Sequence, residues 1–371
     1  MLVDSIPLSV NLCPFASYGG SIVSYRGDPD RAGGISHLQH SQIGESSDRT
    51  DNTVIASRRD GRVDMLNVDD GSVSSSVDGN AVLQCKGSGA CSSHMFQSSD
   101  GESKLVAVME CGNAGVLGID GSSSPRVVFE WKCPPNVACS AYHNPSGLLA
   151  VGCQGAELKA YNIGTEEPSQ SAVYAAKGGK PNNVGLCDRP WNTAVAFDPS
   201  AVEGNRILVG TGYYKLRLYD SKVGKRPQLD VKFKDYKISK IVTERDGRRW
   251  WVGDCGGNLQ VYDLRAGKFD GAIKGIGGAV RDIDIRDNYI ASVGLDRFVR
   301  LNSTLSRSSL SKVYVKSQMT GVCLLTSRPV TDGHATDTHA NTRKRPAENQ
   351  QLINENKIIK GQINKGQKKK V

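Results

Sequence analysis

The chain has 371 residues, of which 41 are glycine and 6% are aromatic, and its formal net charge is +9. It contains no run of 18 or more apolar residues, which excludes a transmembrane helix, and the acidic start at Asp4 leads us to expect no secretory signal. The ten cysteines are scattered without a CxxC pair, a pattern typical of thiols in a reducing compartment and not of a zinc site.

One pattern recurs along the chain: an apolar run, a tight turn and then an alternating strand. It is found in residues 148–161, 206–220, 250–263 and 290–301. In the first three segments a glycine of the apolar run precedes a tyrosine by nine residues, in the pairs Gly152 and Tyr161, Gly210 and Tyr219, and Gly253 and Tyr262. A fixed internal offset that repeats about every 40 residues is typical of a β-propeller.

Aligned on these tyrosines, the chain divides into repeating units whose third strands end at comparable positions. These positions are Tyr25, Leu66, Ile119, Tyr161, Tyr219, Tyr262 and Asn302. The sequence therefore predicts an all-β fold over residues 1–325, a seven-bladed propeller of WD40 repeat length with four antiparallel strands in each blade. Two stretches, 72–101 and 177–190, lengthen their units, and we expect surface loops in both because loops tolerate insertions.

The end of the repeat region carries two further strand-like segments, 312–317 and 320–325. We predict that the first completes the last blade and that the second enters the first blade, because a propeller is stable only when its ring is closed. The start of the chain, up to Tyr25, has room for only two or three strands and lacks a clear full set for one blade.

From residue 326 the repeat pattern stops and polar residues dominate, so residues 326–371 are predicted to be a disordered basic tail. Two short basic clusters lie in it, Arg343, Lys344 and Arg345, and Lys368, Lys369 and Lys370. Clusters of this kind serve as nuclear import signals or contact phosphates, although a tail that only aids solubility has the same composition.

A second basic region lies inside the repeats, where residues 215–249 carry twelve Lys or Arg against five Asp or Glu. Tyr213, Tyr214, Phe233, Tyr236, Trp250 and Trp251 flank or interrupt these charges. Cations that bind phosphates, beside aromatic rings that stack on bases, favour a nucleic-acid surface formed by Lys215, Lys232, Lys234 and Lys237. The alternative is that the aromatic residues belong to the core and the lysines only to solvated faces.

No motif of an enzyme active site or cofactor site is present. Residues 275–280 begin like a dinucleotide loop, but Val280 replaces the third glycine and a strand follows where a helix is required, so a turn between strands is expected. We therefore expect no catalysis, no cofactor, no metal and no small-molecule substrate. A propeller hydrolase would require carboxylates or histidines that converge at the mouth of the channel.

Several segments resemble one family more closely than they resemble a general propeller. They are the stretches at 189–197, 210–220, 294–300 and 312–318. Over about 189–325 the chain resembles the nucleolar WD40 proteins of large-subunit ribosome assembly, the Nop-seven-associated protein family. The resemblance implies a seven-bladed propeller on the nucleolar precursor of the large (60S) subunit, with assembly-factor proteins and pre-rRNA as partners and an AAA-type ATPase for release. It also implies a nuclear and nucleolar location, and it carries partner contacts onto Gly212, Tyr213, Arg217, Leu295, Asp296, Arg297, Lys316 and Gln318.

A second function remains open at this point. Residues 262–265, Tyr-Asp-Leu-Arg, resemble the box by which some WD40 proteins bind the adaptor of a cullin-type ubiquitin ligase, with Tyr262 in place of tryptophan. The chain could then be a substrate receptor of such a ligase. Because Tyr262 and Arg265 also fit an ordinary strand end, the resemblance to the assembly family takes precedence.

Overall fold

The structure is a computed structural model that describes residues 10–15, 20–26, 35–40, 53–67, 73–85, 89–97, 103–118, 126–164, 170–179, 185, 187–316 and 318–325. Within these residues nearly all regular structure is β-strand, accompanied by one helix of four residues, α1 (Gly79–Val82), and one 3-10 turn (Asn144–Ser146). No described helix has the length and apolar character that crossing a membrane requires.

The described strands form six antiparallel sheets of four strands and one sheet of three. In chain order the strands are β1 (Val10–Phe15), β2 (Gly20–Arg26), β3 (Ile35–His40), β4 (Thr53–Arg58), β5 (Arg62–Asn67), β6 (Val73–Asp78), β7 (Ala90–Gln97), β8 (Ser103–Met109), β9 (Asn113–Gly118), β10 (Arg126–Lys132), β11 (Val137–His143), β12 (Leu148–Cys153), β13 (Lys159–Asn162), β14 (Tyr174–Ala175), β15 (Asn192–Phe197), β16 (Arg206–Thr211), β17 (Lys215–Asp220), β18 (Leu229–Lys232), β19 (Ile238–Thr243), β20 (Arg249–Asp254), β21 (Leu259–Asp263), β22 (Lys268–Ile273), β23 (Val280–Arg286), β24 (Tyr289–Gly294), β25 (Phe298–Ser303), β26 (Ser309–Tyr314) and β27 (Met319–Leu325).

Each four-stranded sheet takes its strands consecutively from the chain: β3–β6, β7–β10, β11–β14, β15–β18, β19–β22 and β23–β26. The first strand of each sheet packs against the first strand of the next, so that β3, β7, β11, β15, β19 and β23 follow one another around the inside of a ring. This arrangement confirms the predicted all-β propeller built from repeats of about 40 residues. The described residues form six four-stranded blades, one fewer than the seven predicted.

The recurring glycine lies at the interface between one blade and the next. A Cβ atom added to Gly210 in β16 would lie 2.5 Å from Cγ2 of Ile238 in β19, the first strand of the following blade. Gly152 and Gly253 meet the first strand of their following blade in the same way. A side chain at these positions would hold the sheets apart, which is the physical reason for a glycine within a buried strand.

The recurring tyrosine packs in the opposite direction, against the preceding blade. Tyr219 is fully buried among residues of the β11–β14 sheet, and Tyr161 packs in the same way against the β7–β10 sheet. In these three blades the glycine therefore lies on the side that contacts the following blade, and the tyrosine lies on the side that contacts the preceding one. Their offset of nine residues places them on the second and third strands of one sheet.

The end of the repeat region joins the start of the chain in the three-stranded sheet, whose order is β1, β2 and β27. The first half of the segment expected at 312–317 falls on β26, the outer strand of the last four-stranded sheet, and the segment at 320–325 falls on β27. β27 pairs with β2, where Cys323 lies opposite Val23, and it packs between β23 and β3 on the inside of the ring.

Side chains of β23 hold β27 in this position. The Asp282 carboxylate accepts a hydrogen bond from the backbone N–H of Val322 at 3.0 Å, and the Asp284 carboxylate accepts one from Leu324 at 2.7 Å. Arg286 donates to the carbonyl oxygen of Leu324 at 3.2 Å. Because alternate residues of a strand share one face, a single face of β23 supplies all three contacts.

One sequence expectation about the units is wrong. Residues 72–101 are not a surface loop, because they contain β6, α1 and the inner strand β7. The stretch is rich in serine and glycine, which suggested a loop. Its strands form nevertheless, because β6 pairs with β5 and β7 pairs with β8. Of residues 177–190, the described part contains no strand. The tail, with its clusters at Arg343–345 and Lys368–370, lies outside the described residues, and the division at residue 325 stays a prediction.

Candidate functional site

Seven of the eight predicted contact residues of the propeller lie on one face of the ring, and the eighth, Arg217, is buried in β17. Strands alternate in direction, so the turn between the second and third strands of a sheet lies on the same face as the connection from its fourth strand to the next sheet. We call this the upper face. It holds Gly212 and Tyr213 in the β16–β17 turn, Leu295, Asp296 and Arg297 in the β24–β25 turn, and Lys316 and Gln318 in the β26–β27 connection.

The predicted nucleic-acid lysines lie on the same face. Lys215 begins β17 and pairs in register with Lys232 at the end of β18, and Lys234 and Lys237 lie in the connection to β19. The predicted partner-contact residues and the predicted nucleic-acid lysines come from several short segments of the sequence. The structure brings them together at two places on the upper face. The β19–β22 sheet separates these two places.

At the first place Trp191 packs on the β16–β17 turn. The backbone N–H of Gly212 donates to the carbonyl oxygen of Trp191 at 2.9 Å, and a Cβ atom at position 212 would overlap the Trp191 indole. The ring of Tyr213 meets that indole edge-on, with 5.6 Å between centroids. Glycine at position 212 thus leaves room for an indole, and the sequence did not identify Trp191 as a site residue.

Two further tyrosines extend this group over the neighbouring sheet. Tyr214, with a left-handed backbone φ of +59°, is 37% exposed, and Tyr236 is 56% exposed. Tyr236 packs against Gly256 in the β20–β21 turn, where a Cβ atom would overlap its ring. We call Trp191, Tyr213, Tyr214 and Tyr236 the aromatic platform.

Lysines lie beside these rings. Nζ of Lys237 is 5.9 Å from the Trp191 ring centroid, and Nζ of Lys232 is 5.9 Å from that of Tyr214, both at the outer range of a cation–π contact. Lys232 also pairs with Asp235 at 2.7 Å. Lys234 and Lys237 form no ion pair within the described part of the chain, so their charges face solvent.

The remaining aromatic residues of this region belong to the core. Phe233, Trp250 and Trp251 are buried, and Trp250 stacks on Tyr262 with 5.5 Å between centroids. For these three residues the alternative interpretation, that the aromatic residues belong to the core and not to a binding surface, is therefore correct. Because Tyr262 is buried in that stack, the Tyr-Asp-Leu-Arg box presents only Arg265 as an exposed residue.

Arg217 is buried in β17, next to the platform, and its guanidinium is paired with carboxylates of the protein itself. It is 5% exposed, its Nε donates to Asp230 at 3.2 Å, and its Nη2 donates to Asp188 at 3.2 Å. Burial lowers the pKa of Arg217, but Asp230 and Tyr219 oppose this effect and leave the pKa raised. Lys215 joins the same network through Asp188 at 2.5 Å. The guanidinium is therefore already paired, and a partner would meet the turn above it.

At the second place the β24–β25 turn is fixed by the Asp296 carboxylate. It accepts hydrogen bonds from the backbone N–H of Gly277 at 3.1 Å and from the guanidinium of Arg300. Burial raises the pKa of Asp296, but these hydrogen bonds outweigh burial and lower it overall. Arg297, with φ of +65°, is exposed and accepts a hydrogen bond on its carbonyl oxygen from Val315 N–H at 2.9 Å.

That hydrogen bond brings the β24–β25 turn next to the β26–β27 connection, so that Leu295, Asp296, Arg297, Lys316 and Gln318 form one group. We call these five residues the 295–318 sector. Tyr314 at its border is 52% exposed, and its ring contacts Phe298 with 5.2 Å between centroids. Lys316 and Gln318 are both exposed. A protein partner would meet charged, apolar and amide groups together here, as at a typical interface.

Inside the ring, charged side chains stand on the inner strands. Lys240 in β19 pairs with Asp282 at 2.8 Å, and burial raises the pKa of Asp284 to about 6. Burial also lowers the pKa of His94 in β7 to about 3. The carboxylates of Asp282 and Asp284 already accept backbone hydrogen bonds from β27. Within the described residues no group of three metal-ligating side chains converges.

Comparison with known proteins finds relatives that are named as WD-repeat proteins or as ribosome biogenesis proteins. No family model matches the chain. WD repeat-containing protein 74 of Bos taurus is 30% identical over 231 residues, which cover 59% of this chain and 57% of that protein, and its Homo sapiens counterpart gives the same figures. Ribosome biogenesis protein NSA1 of Meyerozyma guilliermondii is 25% identical over 279 residues, 66% of this chain and 68% of that protein. These relatives confirm the resemblance, while the chain spans little more than half the length of the WD-repeat proteins.

Proposed function

We propose that this chain, a homologue of WD repeat-containing protein 74 and of ribosome biogenesis protein NSA1, is a non-enzymatic assembly factor of the large (60S) ribosomal subunit. The observation that carries the proposal is its similarity to proteins named for ribosome biogenesis. In the proposal the propeller is a rigid scaffold in the nucleolus. It binds assembly-factor proteins and pre-rRNA, and an AAA-type ATPase removes it.

The geometry of the upper face supports a scaffold. The aromatic platform lies on the β15–β18 and β19–β22 sheets and the 295–318 sector lies on the β23–β26 sheet, so one face offers two adjacent surfaces to two partners. A rigid ring fixes their separation, which is the physical requirement for holding two components of a particle in register.

We also infer that the three-stranded sheet is the seventh blade. β27 occupies the inner position between β23 and β3, as the first strand does in each four-stranded sheet, and β2 and β1 lie beyond it. The carboxylates of Asp282 and Asp284, by holding β27, then stabilise the closed ring. The same contacts support a structural role for these carboxylates and favour a protein without catalysis.

The proposal is tested by tagging the protein in its own cells and following it through sedimentation and affinity purification. We expect co-sedimentation with large-subunit precursors, and co-purification of their RNA and assembly proteins. Charge reversal at Arg297 and Lys316 should reduce this association, whereas Arg265→Ala, an exposed change at the β21–β22 connection, should leave it unchanged. Recovery of a cullin adaptor that depends on Arg265, without precursor RNA, would establish the ligase receptor instead.

A further inference from the structure

We propose that the aromatic platform binds a single-stranded segment of RNA, with bases stacked on its rings and phosphates held by Lys232, Lys234 and Lys237. The proposal rests on the proposed function only for the source of the RNA, the large-subunit precursor. The binding chemistry itself follows from the described residues.

The first argument is the placement of the rings. Tyr214 and Tyr236 expose 37% and 56% of their surface, although each has neighbours that fix its orientation. The backbone N–H of Phe233 donates to the carbonyl oxygen of Tyr214 at 2.7 Å, and Tyr236 rests on Gly256. The hydrogen bond holds the backbone of Tyr214, and the contact with Gly256 holds the ring of Tyr236. An exposed ring that is held in place loses little entropy when a base stacks on it.

The second argument is the position of the charges. Lys237 and Lys232 each hold an ammonium 5.9 Å from a ring centroid of the platform, and Lys234 lies between them in the chain. Aromatic rings interleaved with cations are typical of surfaces for single-stranded nucleic acid, where every base offers a face for stacking. A duplex hides those faces between its own base pairs and would meet only the lysines.

The same arrangement favours RNA over an acidic protein segment. An acidic peptide would use the lysines but would leave Tyr236 and Tyr214 without a stacking partner. The 295–318 sector has a different composition, since Leu295, Asp296 and Gln318 lie beside Arg297 and Lys316. The upper face therefore has one place suited to RNA and another suited to protein.

Trp191 provides a direct readout of stacking. The chain has four tryptophans, and Trp131, Trp250 and Trp251 are buried, which leaves Trp191 as the one that solvent reaches. A base stacked on the platform should quench the fluorescence of Trp191 alone. Trp191→Phe keeps an aromatic ring under the turn and should abolish the quenching.

The experiment measures binding of the full-length protein to three labelled probes by fluorescence anisotropy: a 12-nucleotide oligouridine, an RNA duplex of equal length, and a 12-residue polyglutamate. We expect tightest binding of the single strand, accompanied by tryptophan quenching. Tyr236→Ala should weaken it about tenfold, since one stacked base contributes roughly 1–3 kcal/mol. Tyr314→Ala removes an equally exposed tyrosine from the border of the 295–318 sector and should change the affinity less than about twofold.

Salt dependence separates stacking from charge. The double variant Lys234→Ala with Lys237→Ala should reduce the slope of log Kd against log salt by about 1.4, since each phosphate contact to a single strand contributes roughly 0.7. Tyr236→Ala should leave the slope unchanged. Lys268→Ala, an exposed lysine at the start of β22, provides the matched control for a lost positive charge. Because every variant retains the basic tail, binding through the tail is common to all of them.

Three results would overturn the proposal: equal affinity for duplex and single strand, preference for polyglutamate, or no difference between Tyr236→Ala and Tyr314→Ala. If any of these occurs while the wild-type protein still co-sediments with large-subunit precursors, the platform is wrong and the assembly function stands. If the platform binds oligouridine but the protein never associates with precursors, the assembly function fails and the RNA site remains.

Discussion

Removal of the Asp282 carboxylate should open the ring at the point where the chain closes it. In the native state one oxygen pairs with Lys240 at 2.8 Å and the other accepts the Val322 N–H at 3.0 Å. Asp282→Ala leaves the Lys240 ammonium on an inner strand without that partner, and it leaves a buried N–H of β27 without its acceptor. Burial lowers the pKa of Lys240 and Asp282 raises it, with a net rise, so the lysine remains charged in the intact protein.

The expected cost follows from the two losses. Removing one partner of a buried ion pair costs about 3–5 kcal/mol, and the value here should be at the lower end because 29% of the Lys240 side chain is exposed. An unpaired buried N–H costs about 1–3 kcal/mol, and the two terms are not additive because they share one carboxylate. We therefore expect a loss of about 3 kcal/mol, which corresponds to a decrease in Tm of roughly 4–5 °C for a domain of this size, since the entropy of melting is about 2.1 cal/mol/K per residue.

The assay is thermal unfolding followed by tryptophan fluorescence, with two comparison variants. Asp282→Asn keeps an oxygen for Val322 and should melt between Asp282→Ala and wild type. Asp282→Ala combined with Lys240→Met removes both charges and should recover at least about 1 kcal/mol relative to Asp282→Ala, because no unpaired ammonium remains. A Tm for Asp282→Ala within about 1 °C of wild type, or a double variant less stable than the single one, would refute the reasoning.

Three further outcomes are expected. Gly212→Ala should displace the Trp191 indole, shift its emission and cost about 1–3 kcal/mol by overpacking, whereas Gly224→Ala, where a Cβ atom meets nothing within 4 Å, should change neither emission nor Tm. Asp284 has a folded pKa of about 6 against 3.8 for the free side chain, so the folded state binds the proton more tightly and the contribution of Asp284 to stability falls as pH rises from about 4 to 6. Asp284→Asn should remove this contribution, which amounts to about 2 kcal/mol between pH 4.5 and 7.5, in melts recorded over that range. Deletion of residues 312–325 should abolish cooperative melting, and a retained sharp transition would contradict ring closure.

The pH experiment has defined neighbours to control for. Asp284 faces Asp282, Lys240, Arg286 and Cys323, and burial is the largest influence on its pKa. His94 acts in the opposite sense in this window. Burial lowers its folded pKa to about 3 from 6.5 in the free side chain, so its contribution to stability rises with pH up to about 6.5, and the contribution of Asp284 is read from the difference between Asp284→Asn and wild type. A profile that stays unchanged in Asp284→Asn would assign the pH dependence to other groups.

The repeat pattern of the sequence was sufficient for the propeller because both of its marks have local physical causes. In three blades a glycine in a buried strand contacts the following blade and a tyrosine nine residues later packs on the preceding one, and the pair recurs for that reason. The loop expected at 72–101 was wrong because serine and glycine content says little about a strand whose partners lie elsewhere in the chain.

The candidate site was predictable only in part. The lysines were predicted from the basic charge of residues 215–249, and several contact residues were predicted from the stretches that resemble the family. The structure brings both onto one face. Trp191 was missed although it lies in the family-like stretch 189–197, because its role depends on contacts with Gly212 and Tyr213, about twenty positions later in the chain. Conversely, Trp250 and Trp251 had the same local composition as a binding surface but are buried between sheets.

The sequence by itself determined the repeat, the strand pattern and the position of the basic region, since each depends on neighbouring residues and on a fixed period. Only the tertiary structure decided which aromatic residues reach solvent, which charges are already paired and how β27 closes the ring. Burial and ion pairing depend on contacts between segments far apart in the chain. In Arg217, for instance, pairing with Asp188 and Asp230 turns an apparent binding residue into a buried support beneath the upper face.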